Sequence, residues 1–370
     1  MSKKILFCAS TVSHILNFHL PYLKAFQDKG YEVWVAANEQ KPIPYADFVV
    51  ALPIQKKFTS FENIKAIFAA RQLMKKQSFD IISTHTTLAS AIVRIAVLLL
   101  LKKPKVFCTV HGYLFNENDG FKKWFYLLPE KICAPITNVL MVMNHEDYEI
   151  AKKHKLYKNK LYFINGMGID LSKYPPISPE ERLAARKKLN LADEDFAYVY
   201  AAEFSKRKNQ SFLIRAFAET CKSKPHLKLF LAGEGALLEE CKELAQTLGV
   251  AEQITFLGYV NDIRSLYAGC DTCVSTSLCE GLPFNIMEAM ACGLPVIASD
   301  IKGHHDLLCD GKSGLLYSGT KKLQDHMNTI AKKRTLYALT QENGLLKVKR
   351  YDIHTAFSQI MNCYQEFESC

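Results

Sequence analysis

From its first residues the chain alternates short apolar runs with longer amphipathic ones. Residues 4–9 and 33–37 are short and apolar, which predicts buried strands, and residues 18–29 between them predict a helix that stops at Gly30. Residues 47–52, 80–84, 106–110 and 139–143 predict further strands, and residues 62–76 a further helix. Strands that alternate with helices imply an α/β fold with a parallel sheet wound on both faces. Ligands of such sheets bind beyond the carboxyl ends of the strands.

The pattern breaks around Asn165-Gly166-Met167-Gly168-Ile169-Asp170, and Lys173-Tyr174-Pro175-Pro176-Ile177-Ser178-Pro179 reads as an extended linker. A second alternating set begins near Ala197, with strands expected over 197–202, 228–232, 253–257, 272–275 and 295–298. The expected organisation is a first domain over 1–168, a linker over 169–190, a second domain over 191–350, and a closing helical segment over 351–370. A length of 370 residues agrees with two domains, because single cores stop growing beyond about 250–300 residues.

Composition narrows the class without fixing the chemistry. Hydrophobic content of 49% and charged content of 23% are those of a soluble globular protein. The start, Met-Ser-Lys-Lys-Ile-Leu-Phe-Cys-Ala-Ser, runs straight into a strand pattern, so a signal peptide is not expected. The twelve cysteines are scattered through apolar runs, which suits a reducing compartment and free core thiols. Cys270 and Cys273 form a C-x-x-C at the start of a strand, with no second pair nearby, and are expected in the core.

The net charge of +10 is uneven. Residues 51–110 carry ten Lys/Arg (Lys56, Lys57, Lys65, Arg71, Lys75, Lys76, Arg94, Lys102, Lys103, Lys105) against two acids, Glu62 and Asp80. A basic face attracts nucleic acid, an anionic membrane or a phosphorylated acceptor. Residues 91–101 form an apolar run interrupted by Arg94 and followed by Lys102-Lys103. It is too short to span a bilayer and is expected either to lie on a membrane surface or to be buried. Cations beside apolar residues favour a peripheral membrane role, and no nucleic-acid module appears.

The strongest chemical signal is residues 279–300, Cys-Glu-Gly-Leu-Pro-Phe-Asn-Ile-Met-Glu-Ala-Met-Ala-Cys-Gly-Leu-Pro-Val-Ile-Ala-Ser-Asp. Glu280 and Glu288 stand eight apart, one before a short helix and one about a turn inside it. A helix start leaves up to four backbone N–H groups without intrahelical partners, and with the dipole these form an anion site. Gly281 allows close backbone approach, and Pro283 suits a first helical turn. Carboxylates beside such a site are suited to sugar or ribose hydroxyls. A basic loop, Ala202-Glu203-Phe204-Ser205-Lys206-Arg207-Lys208-Asn209-Gln210, follows the first strand of the second set and also leads into a helix.

The 279–300 stretch resembles the glutamate–seven–glutamate signature of family 4 retaining glycosyltransferases, of the kind that assemble bacterial capsule, exopolysaccharide and O-antigen. That resemblance implies the GT-B fold, in which two Rossmann-like domains face each other across a cleft and a C-terminal helix crosses back to the first. It implies a nucleotide-sugar donor, UDP-linked by expectation, bound by the second domain. Lys208 matches the family's diphosphate-binding Lys, whereas Glu203 stands where an Arg is common, with Arg207 or Lys206 as substitutes. By the same resemblance Glu280 grips the donor sugar, Glu288 the ribose, and Gly281, Leu282, Pro283 and Phe284 the diphosphate. Gly233, in Gly233-Glu234-Gly235, and Tyr259-Val260 border the nucleotide. His111, in Thr109-Val110-His111-Gly112, is similar to the family's histidine near the donor sugar and acceptor, so Glu280, His111 and Lys208 are the expected catalytic set. His85 and His14 are expected on the acceptor side; Ser13-His14 replaces the glycine pair of many relatives. No Asp-x-Asp is placed as in the metal-dependent GT-A enzymes, since Asp193-Glu194-Asp195 reads as a solvated helix cap, and neither a required metal nor a cofactor is expected. The implied acceptor is an undecaprenyl-diphosphate-linked saccharide, met at the anionic inner face of the cell membrane by a cytoplasmic, peripheral enzyme. A nucleotide-sugar 2-epimerase of the same fold and a nonenzymatic partner subunit are the alternatives.

Overall fold

The computed structural model describes residues 2–55 and 57–368, so Lys56 of the basic segment lies outside the described residues. The chain forms two compact units, Met1–Met167 with Thr355–Cys370, and Gly168–His354.

The first unit holds a seven-stranded sheet of β1 (Lys4–Cys8), β2 (Glu32–Ala37), β3 (Phe48–Ala51), β4 (Ile81–His85), β5 (Lys105–Val110), β6 (Val139–Val142) and β7 (Lys160–Phe163). Its order is β3-β2-β1-β4-β5-β6-β7, and every pair is parallel. The second unit holds β8 (Phe196–Ala201), β9 (Leu227–Ala232), β10 (Ile254–Gly258), β11 (Thr272–Ser275), β12 (Val296–Ser299) and β13 (Leu315–Tyr317), in the order β10-β9-β8-β11-β12-β13, again all parallel. The central strands are buried along almost their whole length, which explains why they read as unbroken apolar runs. In both sheets the chain starts in the middle, builds outward one way, then returns to the other side. The reversal falls between β1 and β4 in the first sheet and between β8 and β11 in the second. A crevice opens beyond the carboxyl ends of strands at such a switch point, and ligands bind there.

The structure departs from the sequence expectations in three places. The helix expected over 18–29 runs over Leu20–Asp28, and a further short helix, Val12–Phe18, precedes it, with His19 closing the first and opening the second. Pro21 sits in the first turn of the second helix, because in a helix interior it would remove a hydrogen bond and clash with the preceding turn. The stretch 169–190, expected as a linker, includes the helix Pro179–Lys188, which starts with a Ser178/Glu181 capping box. Arg182 and Arg186 tie that helix to Asp271 at the foot of β11, at 2.5 and 3.3 Å. Asp193-Glu194-Asp195 is a turn into β8 rather than a helix cap, with the Ala192 N–H donating to Asp195 Oδ2. Of the two outcomes open for the run at 91–101 the structure shows burial: in the helix Thr87–Leu98, Ile92, Val93, Ala96 and Val97 are buried. Arg94 is buried with them, its guanidinium 2.6 Å from Glu130. Cys270 and Cys273 are both buried.

The closing helix Ile353–Glu368 packs on the first unit from Thr355 onward. Tyr364 stacks on Phe107 and places its hydroxyl 2.6 Å from Ser83 Oγ. Gln359 accepts from the Asn165 N–H and donates to the Phe163 carbonyl.

Candidate active site

In the second unit the switch point is built from the loop after β8 and the loop after β11. Backbone and hydroxyl bonds sew the two together. The Leu278 N–H donates to the Arg207 carbonyl at 2.8 Å, and Thr276 Oγ1 and Tyr200 OH both donate to the Lys208 carbonyl at 3.1 Å. Asn209 adopts a left-handed conformation, φ 56°, that turns the chain into the helix Gln210–Thr220. This clamping aims Lys208 Nζ at Glu280 Oε1, 2.6 Å away, and Arg207 at the same oxygen, 2.9 Å away. Arg207 also donates to the Cys279 carbonyl at 3.2 Å. Glu280 is only 8% exposed. Burial pushes its carboxyl pKa up, but the two cations outweigh that and leave it below the ordinary value. Glu203 and Lys206 have exposed side chains.

Glu280 enters the motif helix Phe284–Ala291 through Gly281-Leu282-Pro283, with Pro283 as its N-cap. Leu282, Ile286 and Met287 are buried, so the turn offers its backbone rather than the Leu282 side chain to the space before the helix. Beneath the turn, Gly303 (φ 79°) lies so close that a Cβ would stand 2.6 Å from the Gly281 carbonyl oxygen. His304 next to it is buried, its pKa pushed down to about 4, and its Nδ1–H donates to the Ser299 carbonyl at 2.7 Å. Glu288 has different company. The Tyr174 hydroxyl donates to it at 3.1 Å, and burial raises its pKa. The two glutamates of one motif are thus shifted in opposite directions, Glu280 toward the charged form and Glu288 toward the neutral one.

The Gly-Glu-Gly loop after β9 is fitted to the loop after β8. A Cβ at Gly233 (φ 135°) would lie 2.1 Å from the Ala202 carbonyl oxygen, and one at Gly235 (φ 151°) 2.3 Å from that of Phe204. Only glycine allows this approach. The Gly233 N–H donates to the Gly258 carbonyl at 2.6 Å, which brings the Tyr259-Val260 segment alongside. Tyr259 is exposed and Val260 half-buried.

In the first unit the loops beyond β1, β4 and β5 bring four histidines together. His14 comes from the helix Val12–Phe18, His19 from its end, His85 from the last position of β4, and His111 from just beyond β5. Ring centroids lie 4.6 Å apart for His14 and His111, 5.2 Å for His14 and His19, and 3.8 Å for His19 and His85. His85 Nε2 lies 2.9 Å from Ser83 Oγ, which in turn meets Tyr364. Burial lowers the pKa of all four, His14 to about 4 and the others well below the ordinary value, so the rings are neutral near pH 7. His14 and His85 were expected on the acceptor side and His111 in the catalytic set; the structure brings the three together. His19 was missed, although it closes the same short helix that carries His14, in Ser13-His14-Ile15-Leu16-Asn17-Phe18-His19. Tyr174, which holds Glu288, fell in the expected linker and was also missed.

Residues 181–346 match the family model described as Glycosyl transferases group 1, and residues 4–143 match the one described as Glycosyl transferase 4-like. Over 318 residues the chain is 36% identical to EpsD of Bacillus subtilis (strain 168), which bears the name of a glycosyltransferase; the match covers 85% of this chain and 84% of EpsD. Over 265 residues it is 28% identical to the Escherichia coli UDP-Gal:alpha-D-GlcNAc-diphosphoundecaprenol alpha-1,3-galactosyltransferase, covering 70% of this chain and 68% of that one. The structure is similar to that of Anabaena HepE in complex with UDP and glucose, with a TM-score of 0.78 and 20% identity over 98% of this chain and 100% of that one. That last likeness establishes the fold, GT-B.

Proposed function

Because the chain belongs to the group 1 glycosyltransferases, we propose that it is a retaining enzyme of bacterial surface-polysaccharide synthesis. In this reading it moves a sugar from a UDP-sugar to a saccharide carried on a lipid diphosphate. The observation that carries it is the convergence of Lys208 and Arg207 on Glu280 at the switch point of the second sheet, directly before the motif helix. Glu280 holds the two cations where a diphosphate needs them. A bound nucleoside diphosphate takes over those cations and leaves the carboxylate for the donor sugar's hydroxyls. Breakage of the donor C1–O bond puts negative charge on the departing diphosphate, and fixed cations stabilise such charge without reorganisation. The acceptor oxygen attacks C1 from the same face, and its proton passes to the leaving phosphate oxygen. Glu288, kept uncharged more readily than Glu280, suits the ribose hydroxyls with Tyr174 as its anchor. Arg207, not Lys206, substitutes for the arginine absent at Glu203. His14, His85 and His111 serve the acceptor side.

The names of the relatives support the substrate classes. The Escherichia coli enzyme takes UDP-galactose and a diphosphoundecaprenol-linked sugar, and the HepE crystals hold UDP and glucose. The surface of the first unit fits a lipid-linked acceptor. Phe61, Phe121, Phe125 and Leu128 are exposed beside Lys122 and Lys131. A cavity of about 340 Å³ is lined by Phe58, Ile64, Ile95 and Tyr126. Among the described residues no helix is long and apolar enough to cross a membrane; this exposed aromatic and basic surface is the one proposed to meet the inner face of the cell membrane.

Incubating the protein with radiolabelled UDP-sugars and an undecaprenyl-diphosphate-linked saccharide tests the reading. Label on the lipid, in an α linkage by proton NMR, is expected. Epimerised free nucleotide sugar identifies a 2-epimerase instead, and a requirement for a second protein identifies a partner subunit.

A further inference from the structure

The histidine cluster of the first unit carries more than acceptor contacts. Five buried ring nitrogens in it have no hydrogen-bond partner among the described residues: His14 Nε2, both nitrogens of His19, His85 Nδ1 and His111 Nε2. His19 is fully buried and His85 is 2% exposed. A buried polar group left without a partner is costly, so a fold that gathers five of them at one point is arranged for something that satisfies them.

His14, His19 and His111 each offer a ring nitrogen, and the three nitrogens lie within 4.8 Å of one another. Neutral imidazoles without charged neighbours are ligands for zinc and its first-row neighbours, not for the hard cations magnesium and calcium, which require oxygen. Three protein nitrogens with a fourth position open is also the ligand count of catalytic rather than structural zinc sites. We propose that His14, His19 and His111 bind one zinc-like divalent transition-metal ion at the switch point of the first sheet, with a coordination position left for an exogenous oxygen ligand. Zinc–nitrogen bonds are about 2.0–2.1 Å, so the three rings draw together around the ion. The short helix Val12–Phe18 carries His14, and His19 closes it. His85, 3.8 Å from His19 by ring centroids and anchored through Ser83 and Tyr364, backs the site. An ion here plays no part in neutralising the donor diphosphate, which Lys208 and Arg207 do. If the proposed transfer reaction holds, the open position suits an acceptor hydroxyl, but the binding of metal does not depend on that reaction.

The test uses the full chain, freed of metal by a chelator and dialysed. Zinc added to it should bind at one equivalent by calorimetry and raise Tm, and cobalt should give the visible bands of a tetrahedral nitrogen site. His14→Ala and His111→Ala should each weaken zinc by more than the 10–100-fold that changes around a metal's ligands usually cost, while exposed His145→Ala should not. Since loss of a ring may disturb folding, His14→Gln and His19→Asn are measured as well. Loss of the zinc-dependent Tm rise, with the apo Tm kept, supports the site. Absence of a stoichiometric zinc isotherm for the wild-type chain, or its persistence in the His14→Gln/His19→Asn double variant, overturns it. Neither readout uses transferase activity, so a failed acceptor assay and a failed metal site remain distinguishable.

Discussion

Alanine at Lys208, Arg207 and Lys206, one at a time, separates three cations that stand side by side in the sequence. Lys208 Nζ lies 2.6 Å from Glu280 with its side chain 13% exposed, whereas Arg207 makes a 2.9 Å contact with a side chain 45% exposed. A preorganised, water-shielded donor to developing charge is worth about 10²–10³ in kcat, or about 2.7–4 kcal/mol. Lys208→Ala is expected to fall in that range. Solvent screens the half-exposed Arg207, so Arg207→Ala should cost near the lower end of a charged hydrogen bond, about 1.5 kcal/mol or tenfold. Lys206 is exposed, and its loss should stay within about twofold, the effect of an ordinary surface change. Steady-state kcat and KM for the UDP-sugar, with calorimetric Kd for UDP, give the ranking. Lys208→Ala also leaves the buried Glu280 carboxylate with only one cation, which should lower Tm by a few degrees. Glu280 has a depressed pKa, so its contribution to stability is present above the unfolded carboxylate's pKa and is lost as pH falls through the folded one. That acid-side loss should shrink in Lys208→Ala. Wild-type kcat in Lys208→Ala, or a larger loss from Lys206→Ala than from Arg207→Ala, refutes the assignment of roles.

Three further outcomes are expected. Glu130→Ala strands the buried Arg94 guanidinium and should cost about 3–5 kcal/mol, whereas the Arg94→Met/Glu130→Leu pair should recover most of that in chemical denaturation; equal stability of the single and double variants would show that the ion pair is not held as described. Gly235→Ala puts a Cβ 2.3 Å from the Phe204 carbonyl, and Gly249→Ala meets open space at φ 68°, so the first should lower Tm and UDP affinity and the second only Tm, modestly. A Phe121→Ser/Phe125→Ser variant should bind anionic vesicles more weakly than wild type in cosedimentation at equal salt, and unchanged binding would move the membrane surface elsewhere.

Much of the second unit was legible because its chemistry is local in sequence. Glu280, Gly281, Pro283 and Glu288 lie within one turn and one helix, and a helix start after a strand fixes their relation. Lys208 came from a loop adjacent in the same pattern. What sequence could not rank were Lys206 and Arg207, since which of two neighbours turns inward depends on the left-handed Asn209 and on the bonds from Thr276 and Tyr200, all set by β11. The run at 91–101 was ambiguous for the same reason. An arginine in an apolar stretch reads as a surface break until its partner is known, and Glu130 lies far along the chain. The linker was overcalled because two adjacent prolines at 175–176 outweighed the Ser178–Glu181 capping box, which was readable.

The histidines make the sharper case, because their neutrality ties acid stability to the site they form. His14 titrates at about 4 against an ordinary 6.5, a depression caused by burial. A histidine with a lowered folded pKa contributes stability that is present above the unfolded value and lost as pH falls toward the folded one. The difference of about 2.5 pH units corresponds to about 3 kcal/mol for His14 alone, and His19, His85 and His111 act in the same direction. Unfolding midpoints measured at steps from pH 7 to pH 4 should therefore fall steeply below about pH 6.5, and His14→Leu should flatten the slope by close to one proton. A slope unchanged by that substitution would mean that His14 is already protonated near pH 6 in the folded protein.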